Sequence, residues 1–430
     1  MNNKKINVAN KVIKEILPDG WELRDDGNIK AIGHFPSDYE YNMLMNYADY
    51  IDLFVDGKPF PPFEIEIQMS SSCNFRCTWC IGDSVQKQKE IKGLSNFLSR
   101  KNVDKLVDGI IDFRQNGLRI QLVKFSGFIG EPLIQKKATI SAIQRLVGAG
   151  FKVGLFTNGV FMKEDTWDTL ANIYYVNLSL DGGPYSFFWL KEFPKNTDLT
   201  FTKKTFNTVI NNIKGLNRVR VKEERNSPVN ITVSYVVVPG NHIEVYEATR
   251  LVKEAGADGI RFKCDIGGRH KLKEDTGDES TLDEAYDQIQ KAKTDFNDET
   301  FKVIEVHTKD DARDENYNKW DCKNGCFYQD FVATVGSNGD LYLCDHNTMP
   351  GAIQFGNVIN ESLQKLWEGN KRKKLLEIIP DICICEVCPP FANRVNFFLK
   401  KIYDAKKKYG PAPVKKALQD LRNILSGSKV

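Results

Sequence analysis

Three cysteines stand close together in the run Cys73-Asn-Phe-Arg-Cys77-Thr-Trp-Cys80, directly after a predicted strand. Cysteine thiolates on short loops are the usual ligands of iron–sulfur clusters. Three thiolates at CxxxCxxC spacing can hold a [4Fe–4S] cluster and leave its fourth iron open to another ligand. The alternative interpretation is a structural zinc knot or a set of scattered buried cysteines.

The remaining cysteines also favour metal chemistry. The chain has ten cysteines among 430 residues, and nine of them fall into two groups. A reducing cytosol keeps thiols out of disulfides, so cysteines at ligand-like spacing in an intracellular chain indicate metal binding. The second group comprises Cys322, Cys326, Cys344, Cys383, Cys385 and Cys388, and Cys264 alone belongs to neither group.

Three segments follow the first cysteine group in the order used by a known family. They are Phe125-Ser-Gly-Phe-Ile-Gly-Glu-Pro-Leu133, Leu155-Phe-Thr-Asn-Gly159 and Val176-Asn-Leu-Ser-Leu-Asp-Gly182. Each is a weak signal, because Asn-Gly and Asp-Gly are ordinary turn dipeptides. Together with CxxxCxxC they resemble the radical S-adenosylmethionine (SAM) enzymes. In that family the open iron binds SAM, and an electron from the cluster cleaves SAM to a 5′-deoxyadenosyl radical that abstracts hydrogen from C–H bonds.

The resemblance implies which residues contact SAM. The glycine-rich segment would lie along the methionine part, where glycine lets backbone groups approach closely. It departs from the common form at Phe128 and Ile129, where relatives often have glycines. The ends of strands three and four would face the ribose and carboxylate, and an aromatic residue would lie beside the adenine. The implied cofactor-binding residues are Trp79, Gly130, Glu131, Asn158, Ser179 and Asp181.

The second cysteine group has its own pattern. Cys326, Gly339 and Cys344 stand in a C-x12-G-x4-C arrangement, and a CxxC pair follows at Cys385 and Cys388. This resembles the twitch domain, a shortened SPASM domain that binds one auxiliary [4Fe–4S] cluster through four cysteines. The implied ligands are Cys326, Cys344, Cys385 and Cys388, with Cys322 or Cys383 as replacements, and two clusters in total. Zinc is the alternative, since CxxC pairs also suit tetrahedral Zn²⁺.

The sequence pattern predicts an α/β fold. Short β-branched runs alternate with helical patterns, which indicates a parallel sheet. The family analogue is a partial (β/α)6 TIM-like barrel with a small C-terminal α+β auxiliary-cluster domain. The predicted strands are Phe63–Met69, Ile120–Ser126, Phe151–Thr157, Tyr174–Leu180, Asn230–Val238 and Gly259–Cys264.

Five regions are predicted along the chain. Residues 1–62 form an N-terminal extension with a short amphipathic segment, and 63–270 form the barrel. Residues 271–320 form an acidic connector with one helix, because 271–300 hold ten acids and four lysines. Residues 321–395 carry the auxiliary-cluster domain. Residues 396–430 form a basic tail, a helix pair broken at Gly410-Pro-Ala-Pro413.

Period-two alternation sorts the strand residues by face. One face is apolar and is expected to pack under the helices, so the polar face is expected to line the barrel. Lys124, Arg261 and Lys263 on the polar face are candidates to contact substrate or SAM, or to form salt bridges with Glu66 and Asp181. Cys264 ends the sixth strand, and some radical SAM epimerases use a lone cysteine as hydrogen-atom donor. Alternation instead places Cys264 on the apolar face, as an inert buried cysteine.

Composition limits the function classes. The net charge of +3 does not favour nucleic acid as a partner, and no membrane span or signal region is evident, so a cytoplasmic protein is expected. The leading hypothesis is a radical SAM enzyme that oxidises or epimerises a polar metabolite such as a sugar, aminocyclitol or nucleoside, with a flavodoxin- or ferredoxin-type electron donor. The second is a peptide or protein maturase, although residues 1–62 look too short and turn-rich for a winged-helix leader-binding domain. The third is a non-catalytic iron–sulfur or zinc scaffold.

Overall fold

The computed structural model describes thirteen stretches of the chain. They are residues 10–24, 28–31, 38–77, 80, 97–127, 130–191, 199–221, 228–264, 279–306, 320–344, 348, 352–382 and 390–427. The strands are β1 Trp21–Leu23, β2 Ile29–Ala31, β3 Glu64–Gln68, β4 Leu122–Ser126, β5 Lys152–Thr157, β6 Tyr175–Ser179, β7 Asn230–Val237, β8 Gly259–Cys264, β9 Lys302–Glu305, β10 Val332–Val335, β11 Asp340–Tyr342 and β12 Gln354–Asn357.

Helices connect these strands and extend beyond them at both ends. They are α1 at 10–16, and α2 Asp38–Asn46, α3 Ala48–Asp56, α4 Arg100–Asp112, α5 Lys136–Gly148, α6 Glu164–Leu170, α7 Phe187–Leu190, α8 Leu199–Val221, α9 Val245–Glu254, α10 Glu279–Phe296, α11 Leu363–Glu368, α12 Asn370–Ile382, α13 Pro390–Tyr409 and α14 Pro411–Gly427. In the part of the chain that the structure covers, no helix is both long and apolar enough to cross a membrane.

Strands β3 to β8 pair side by side in parallel, in chain order, with helices between them. This confirms all six predicted strands, each within two residues of its predicted ends. Their faces alternate as the sequence predicts. Ile65 and Ile67 are buried under the helices, whereas Glu66 and Gln68 lie among polar groups inside the barrel. The structure is therefore the expected partial barrel, with its strand ends meeting at one mouth.

The sheet extends beyond these six strands on both sides. On one side β9 pairs in parallel with β8, and on the other β10 pairs in parallel with β3. The hairpin β10–β11 and strand β12 then continue the sheet in antiparallel fashion. The auxiliary-cluster hairpin is thus hydrogen-bonded to the first barrel strand, which places the two cysteine groups on one continuous sheet.

The predicted acidic connector proves to be part of the barrel. Its helix α10 buries an apolar face against the barrel core, and β9 follows it. The buried residues recur at helical spacing between acidic residues, so the overall composition of the segment does not reveal the apolar face. They are Leu282, Ala285, Tyr286, Ile289 and Ala292. The prediction of a solvated connector is therefore wrong for 279–305. The boundary predicted at 270/271 lies outside the described residues.

The two ends of the chain share a second hydrophobic core. Helices α1, α2 and α3 pack with α13 and α14 around buried residues such as Ile16, Leu44 and Leu418. A buried ion pair joins them, since Arg394 donates to Glu40 through Nε at 2.9 Å and Nη2 at 2.7 Å. The N-terminal segment is more helical than its turn-rich sequence suggests. The predicted helix break at Gly410 is confirmed, but the boundary at 395/396 is wrong because α13 continues through it.

Candidate active site

The first cysteine group lies on the loop that leaves the carboxyl end of β3. The Arg76 guanidinium organises this loop by donating to the carbonyls of Cys73 at 2.8 Å and Phe75 at 2.7 Å. The Phe75 amide donates to Cys73 Sγ at 3.4 Å, and the Cys80 amide donates to the Cys77 carbonyl at 3.0 Å. The loop's own groups thus fold it into a compact turn around its thiols.

Two of these thiols are strongly affected by burial. Burial raises the pKa of Cys73 to about 11, helped by the nearby Glu131 carboxylate, and raises the pKa of Cys77 to about 12. The charges of Cys73 and Cys80 also act on Cys77, so the three sulfurs are electrostatic neighbours. The thiolate is the metal-binding form, so loading this site displaces protons. Among described residues no three ligand-type side chains could hold a single metal ion, and a cluster, which binds each cysteine to a separate iron, does not require this.

The segment after β4 lies directly on the cysteine loop. The Glu131 amide donates to the Ser72 carbonyl at 2.9 Å. A Cβ on Gly130 would stand 2.2 Å from the Ser70 carbonyl oxygen, and one on Gly127 would stand 1.4 Å from the Gly130 oxygen. Neither contact can be relieved by a side-chain rotation, because both neighbours are backbone. Gly130 is therefore required for the close approach of the two loops, and Gly127 for the turn within the segment after β4.

The Glu131 side chain joins the ends of two strands. It is buried, and it accepts hydrogen bonds from the Leu133 amide at 3.0 Å, from Thr157 Oγ1 at 2.7 Å and from the Asn158 amide at 2.8 Å. Burial raises the pKa of this carboxyl, and the hydrogen bonds reduce that shift. Both oxygens already have protein donors, so in this structure Glu131 positions the ends of β4 and β5. The sequence assigned it only a contact with SAM.

Asn158 continues the network to the cysteine loop. Its Nδ2 donates to Asn74 Oδ1 at 2.8 Å and lies 3.9 Å from Cys73 Sγ. The Nδ2 of Asn74 is buried and has no hydrogen-bond partner among the residues that the structure describes. A buried amide N–H without an acceptor costs about 1–3 kcal/mol. A donor with no partner, within the loop that carries the thiols, fits a site that receives a polar cofactor.

Asp181 pairs with a lysine that the sequence analysis missed. Lys191 is 2% exposed, and its Nζ donates to Asp181 Oδ2 at 2.5 Å and to the Ser179 carbonyl at 2.9 Å. Burial lowers the pKa of this ammonium, but the charges of Asp181 and Cys77 outweigh burial and raise it overall. No sequence motif marks Lys191, because it follows Asp181 by ten residues and lies outside the family segments. The Lys191 carbonyl also accepts from the Arg76 amide at 3.2 Å, so this lysine touches the cysteine loop.

Asp181 itself has an unusual backbone. Its φ of +53° is in the left-handed region, and its Oδ1 accepts from the Val236 amide at 2.8 Å. Asn241 donates to its carbonyl at 3.2 Å. Asp and Asn tolerate this conformation better than most residues, because their short side chains bond locally. These hydrogen bonds hold the Asp181 carboxylate between Lys191 and the end of β7.

The other predicted contact residues are distributed through the barrel. Lys124 is in an internal salt bridge, with Nζ 3.1 Å from Glu64 and 2.5 Å from Glu66. Of the salt bridges that were the alternative to ligand contact, the one between Lys124 and Glu66 is present, and Asp181 pairs with Lys191. Arg261 and Lys263 line the barrel cavity. Cys264 ends β8, but its side chain is outside the described residues, as are Trp79, Cys383, Cys385, Cys388 and the side chain of Cys322.

Polar side chains fill the interior between the strands. Glu66 accepts from Ser126 and, at 3.4 Å, from Gln68, which also donates to Thr348 at 3.2 Å. Across the barrel, Asn177 donates to Thr232 at 3.0 Å and accepts from Ser234 at 2.8 Å. Buried polar groups persist only when they are hydrogen-bonded. The interior thus offers fixed donors and acceptors close to the cysteine loop.

The second cysteine group lies beside β10, the neighbour of β3, on the side of the sheet where the parallel strands begin. Cys326 precedes β10 and Cys344 follows β11, so the hairpin between them brings the two thiols toward one end. Gly339 turns this hairpin with φ +84°, and a Cβ there would stand 2.7 Å from Ile359. Cys326 contacts both hydrophobic cores, and its sulfur accepts from Asn396 Nδ2 at 3.5 Å.

The fold is a partial α/β barrel, and its two groups of free cysteines supply the ligand type that iron–sulfur clusters use. Family models identify the class: the Radical SAM superfamily matches residues 67–252, and SPASM, an iron–sulfur cluster-binding domain, matches residues 326–389. The chain therefore contains a radical SAM domain and a SPASM domain. Radical SAM domains bind a [4Fe–4S] cluster and SAM, and SPASM domains bind additional iron–sulfur clusters.

Individual relatives are more distant. Over 89 residues the chain is 34% identical to a 7-carboxy-7-deazaguanine synthase of Koribacter versatilis, a match covering 21% of this chain and 33% of that protein. Streptococcus suis SuiB bound to S-adenosylmethionine has a TM-score of 0.50 at 16% identity, covering 72% of this chain and 66% of that one. Native anSMEcpe with bound AdoMet gives 0.51 at 18%, covering 83% and 99%. At these identities the solved structures show a shared fold.

Proposed function

We propose that this protein is an enzyme that cleaves SAM reductively at a cluster held by Cys73, Cys77 and Cys80, and that it abstracts hydrogen from a C–H bond of a polar small molecule. The observation that carries the proposal is the convergence of the ends of β4, β5 and β6 on the cysteine loop that follows β3. Glu131, Asn158 and Asp181 all reach that loop, directly or through Lys191. When bound, the cluster and SAM supply a 5′-deoxyadenosyl radical.

The protein's own residues prepare this site. The Gly130 backbone presses the segment after β4 onto the cysteine loop, and Glu131 fixes it to the end of β5. Asn158 and the unpartnered Nδ2 of Asn74 present amide donors beside Cys73. Lys191 places a positive charge beside Cys77 and Cys73, which stabilises bound thiolates. Such preorganised groups stabilise charge without reorganising during the reaction.

Anaerobic assay of SAM cleavage tests the proposal. The dithionite-reduced, reconstituted protein is expected to convert SAM into 5′-deoxyadenosine and methionine, slowly even without substrate. Replacing Cys73, Cys77 and Cys80 with alanine should abolish this conversion. A folded, iron-loaded wild-type protein that cleaves no SAM would contradict the proposal and support the non-catalytic scaffold.

The polar interior supports a small hydroxylated or anionic substrate, with oxidation or epimerisation as the outcome. Buried donors and acceptors from Glu66, Gln68, Asn177 and Thr232 fit a polar ligand better than a lipid. For epimerisation, Cys264 would donate a hydrogen atom to the substrate radical. Two results together would support that role. The wild-type product would contain deuterium from solvent, and the Cys264→Ala variant would turn over without forming that product.

A peptide substrate is the second candidate function. SuiB bound to its precursor peptide SuiA has a TM-score of 0.51 at 17% identity and covers 86% of this chain, so the shared fold also occurs in a peptide-binding protein. In this chain the N-terminal helices pack with α13 and α14 in a common core. Co-purification of a precursor peptide with the reconstituted enzyme, and its mass change on turnover, would favour this candidate.

The remaining partners follow from the same chemistry. We propose a second [4Fe–4S] cluster on Cys326 and Cys344 with Cys385 and Cys388, or with Cys322 or Cys383 in their place. Each turnover needs an electron, so a flavodoxin or ferredoxin is the proposed donor, and the cytoplasm is the proposed compartment.

A further inference from the structure

The barrel contains a cavity of about 580 Å³, and apart from Phe156 its lining residues lie outside the three family segments. Ligand pockets for small molecules usually measure about 300–1,000 Å³. Residues of β3 to β8 line it from within, while Met43 of α2 and Tyr47, which stands between α2 and α3, close it near the amino ends of the strands. Val236, whose amide donates a hydrogen bond to Asp181, lines the part of the cavity nearer the cysteine loop. The cavity therefore runs from the helical floor toward the cysteine mouth.

The charges on the cavity wall are unequal. Of the described residues that line it, Lys124, Lys152, Arg261 and Lys263 are cationic and Glu64 is anionic. Lys124 forms salt bridges with Glu64 and with Glu66. Among the described lining residues cations outnumber anions, and Arg261 and Lys263 stand two positions apart on β8. A site of this kind attracts an anion, and low dielectric surroundings strengthen that attraction.

The wall also carries aromatic rings, and Lys124 and Lys152 lie over two of them, Phe156 at 5.6 Å and Tyr174 at 4.8 Å. The Tyr175 ring covers β5 at Gly154, where a Cβ would stand 2.1 Å from the ring, and it meets Phe156 edge to face at 5.7 Å. Tyr47 lies on the floor, stacked on Phe63. Burial raises the pKa of Tyr47 and of Tyr175, so both hydroxyls stay protonated and can donate hydrogen bonds. An aromatic surface of this extent suits a flat ring.

We infer that this cavity binds a small anion that carries a planar ring, with its carboxylate or phosphate toward Arg261 and Lys263 and its ring against Phe156 and Tyr175. The inference rests on the proposed function, since such a ligand would be the substrate that faces the cysteine mouth. It narrows the substrate class from polar metabolites in general to ring-bearing anions. Two-part recognition of this kind makes affinity depend on both the charge and the ring.

Calorimetric titration of the anaerobic, cluster-loaded enzyme tests this with four probes. 1-Naphthoate and 1-naphthyl phosphate carry a ring and an anion, 1-naphthamide has the ring without the charge, and cyclohexanecarboxylate has the charge without the aromatic ring. At least one naphthyl anion should bind with one site per chain. Its neutral amide and its saturated analogue should each bind at least about tenfold more weakly. The stronger of the two naphthyl anions identifies the preferred head group.

Two cavity variants and one control localise the binding. Lys263→Met should weaken the naphthyl anion about tenfold and leave the weak amide unchanged, because one charge contact is lost. Phe156→Leu should weaken both, since it removes ring contact. Lys136→Met, which removes a positive charge from an exposed pair with Asp165 outside the barrel, should change neither. Circular dichroism and iron content confirm that each variant is folded and loaded.

The outcomes separate this inference from the proposed function. A protein that cleaves SAM but binds no naphthyl anion, or binds the amide equally well, overturns the inference alone. Equal weakening by Lys263→Met and Lys136→Met also overturns it. A protein that binds the anions as expected but never cleaves SAM overturns the proposed function and leaves the anion site standing.

Discussion

The two cysteine sites of this protein are built in opposite ways. Around Cys73 and Cys77 the structure places full charges, with Glu131, Asp181 and Lys191 all buried within the same network. Beside Cys326 it places a neutral amide, Asn396, at the junction of two hydrophobic cores. Buried charges interact strongly and tolerate little change, whereas a neutral hydrogen bond is worth about 1 kcal/mol.

This difference matches what the two sites must do. The first site must hold a cluster and also recognise a charged cofactor, so its loop is tied to the ends of β4, β5 and β6. The second site is held by a hairpin and by α13, without a buried ion pair at the sulfurs that the structure describes. We expect charge changes to affect the first site severely and neutral changes to adjust the second site mildly.

The largest effect should follow loss of the first ligand set. Wild-type protein reconstituted anaerobically is expected to carry about eight irons, as two [4Fe–4S] clusters. Replacing Cys73, Cys77 and Cys80 together with alanine should leave about four irons, because the SPASM domain keeps its own cluster. Iron and acid-labile sulfide analysis measures this. An unchanged iron content, or zinc in place of iron, would show that the cysteines are assigned wrongly.

The next effect concerns the buried ion pair. Lys191→Met leaves the Asp181 carboxylate buried without its partner, which should cost about 3–5 kcal/mol of unfolding free energy. Adding Asp181→Asn should recover much of that loss, since no unpaired charge then remains. The exposed pair of Lys136 and Asp165 gives the control, where Lys136→Met should cost less than about 1 kcal/mol. Denaturant unfolding of the apo proteins supplies the values. Equal costs for the two lysines would contradict the comparison.

A smaller and more local effect is expected at Gly130. Gly130→Ala drives a Cβ against the Ser70 carbonyl, so the two loops must separate. We expect the first cluster to bind less iron and SAM cleavage to fall, with the auxiliary cluster unaffected. Gly148→Ala is the matched control, because a Cβ there meets nothing within 4 Å. Mössbauer spectra that assign the iron to each cluster would decide; equal loss from both clusters would contradict this local role.

Sequence patterns predicted the frame of the barrel well. The six strands and their inward and outward faces follow from alternation, because one face must be buried under helices and a shift of one residue would invert it. The cysteine loop and the segments around Gly130, Asn158 and Asp181 follow from local motifs. These features are predictable because each depends on a few residues that are adjacent in the chain.

The remaining features depend on contacts that form between separate elements of the fold. Lys191 reaches Asp181 only through the fold, and no local pattern marks it. Phe156 and Tyr175 read as ordinary strand residues, although the pairing of β5 with β6 brings their rings together in the cavity. The helix in the connector was predicted, but the acids around its apolar residues concealed that α10 is buried on one face. The pairing of β10 with β3 joins segments more than 250 residues apart, which no local pattern reveals.

The smallest effect should come from the amide beside Cys326. Asn396 is fully buried, accepts from the Tyr328 amide at 2.9 Å and donates to the Cys326 sulfur at 3.5 Å. Hydrogen bonds to cluster sulfurs stabilise the reduced, more negative state and so raise the reduction potential. Asn396→Ala removes that donor, and the auxiliary potential should fall by roughly tens of millivolts while the first cluster keeps its own. Asn396→Asp retains an acceptor for Tyr328 but adds a negative charge, so it should lower the auxiliary potential further. Redox titration monitored by electron paramagnetic resonance measures both clusters in one sample. If both variants left the auxiliary potential unchanged, or moved the two potentials together, Cys326 would not be a ligand of a separate cluster.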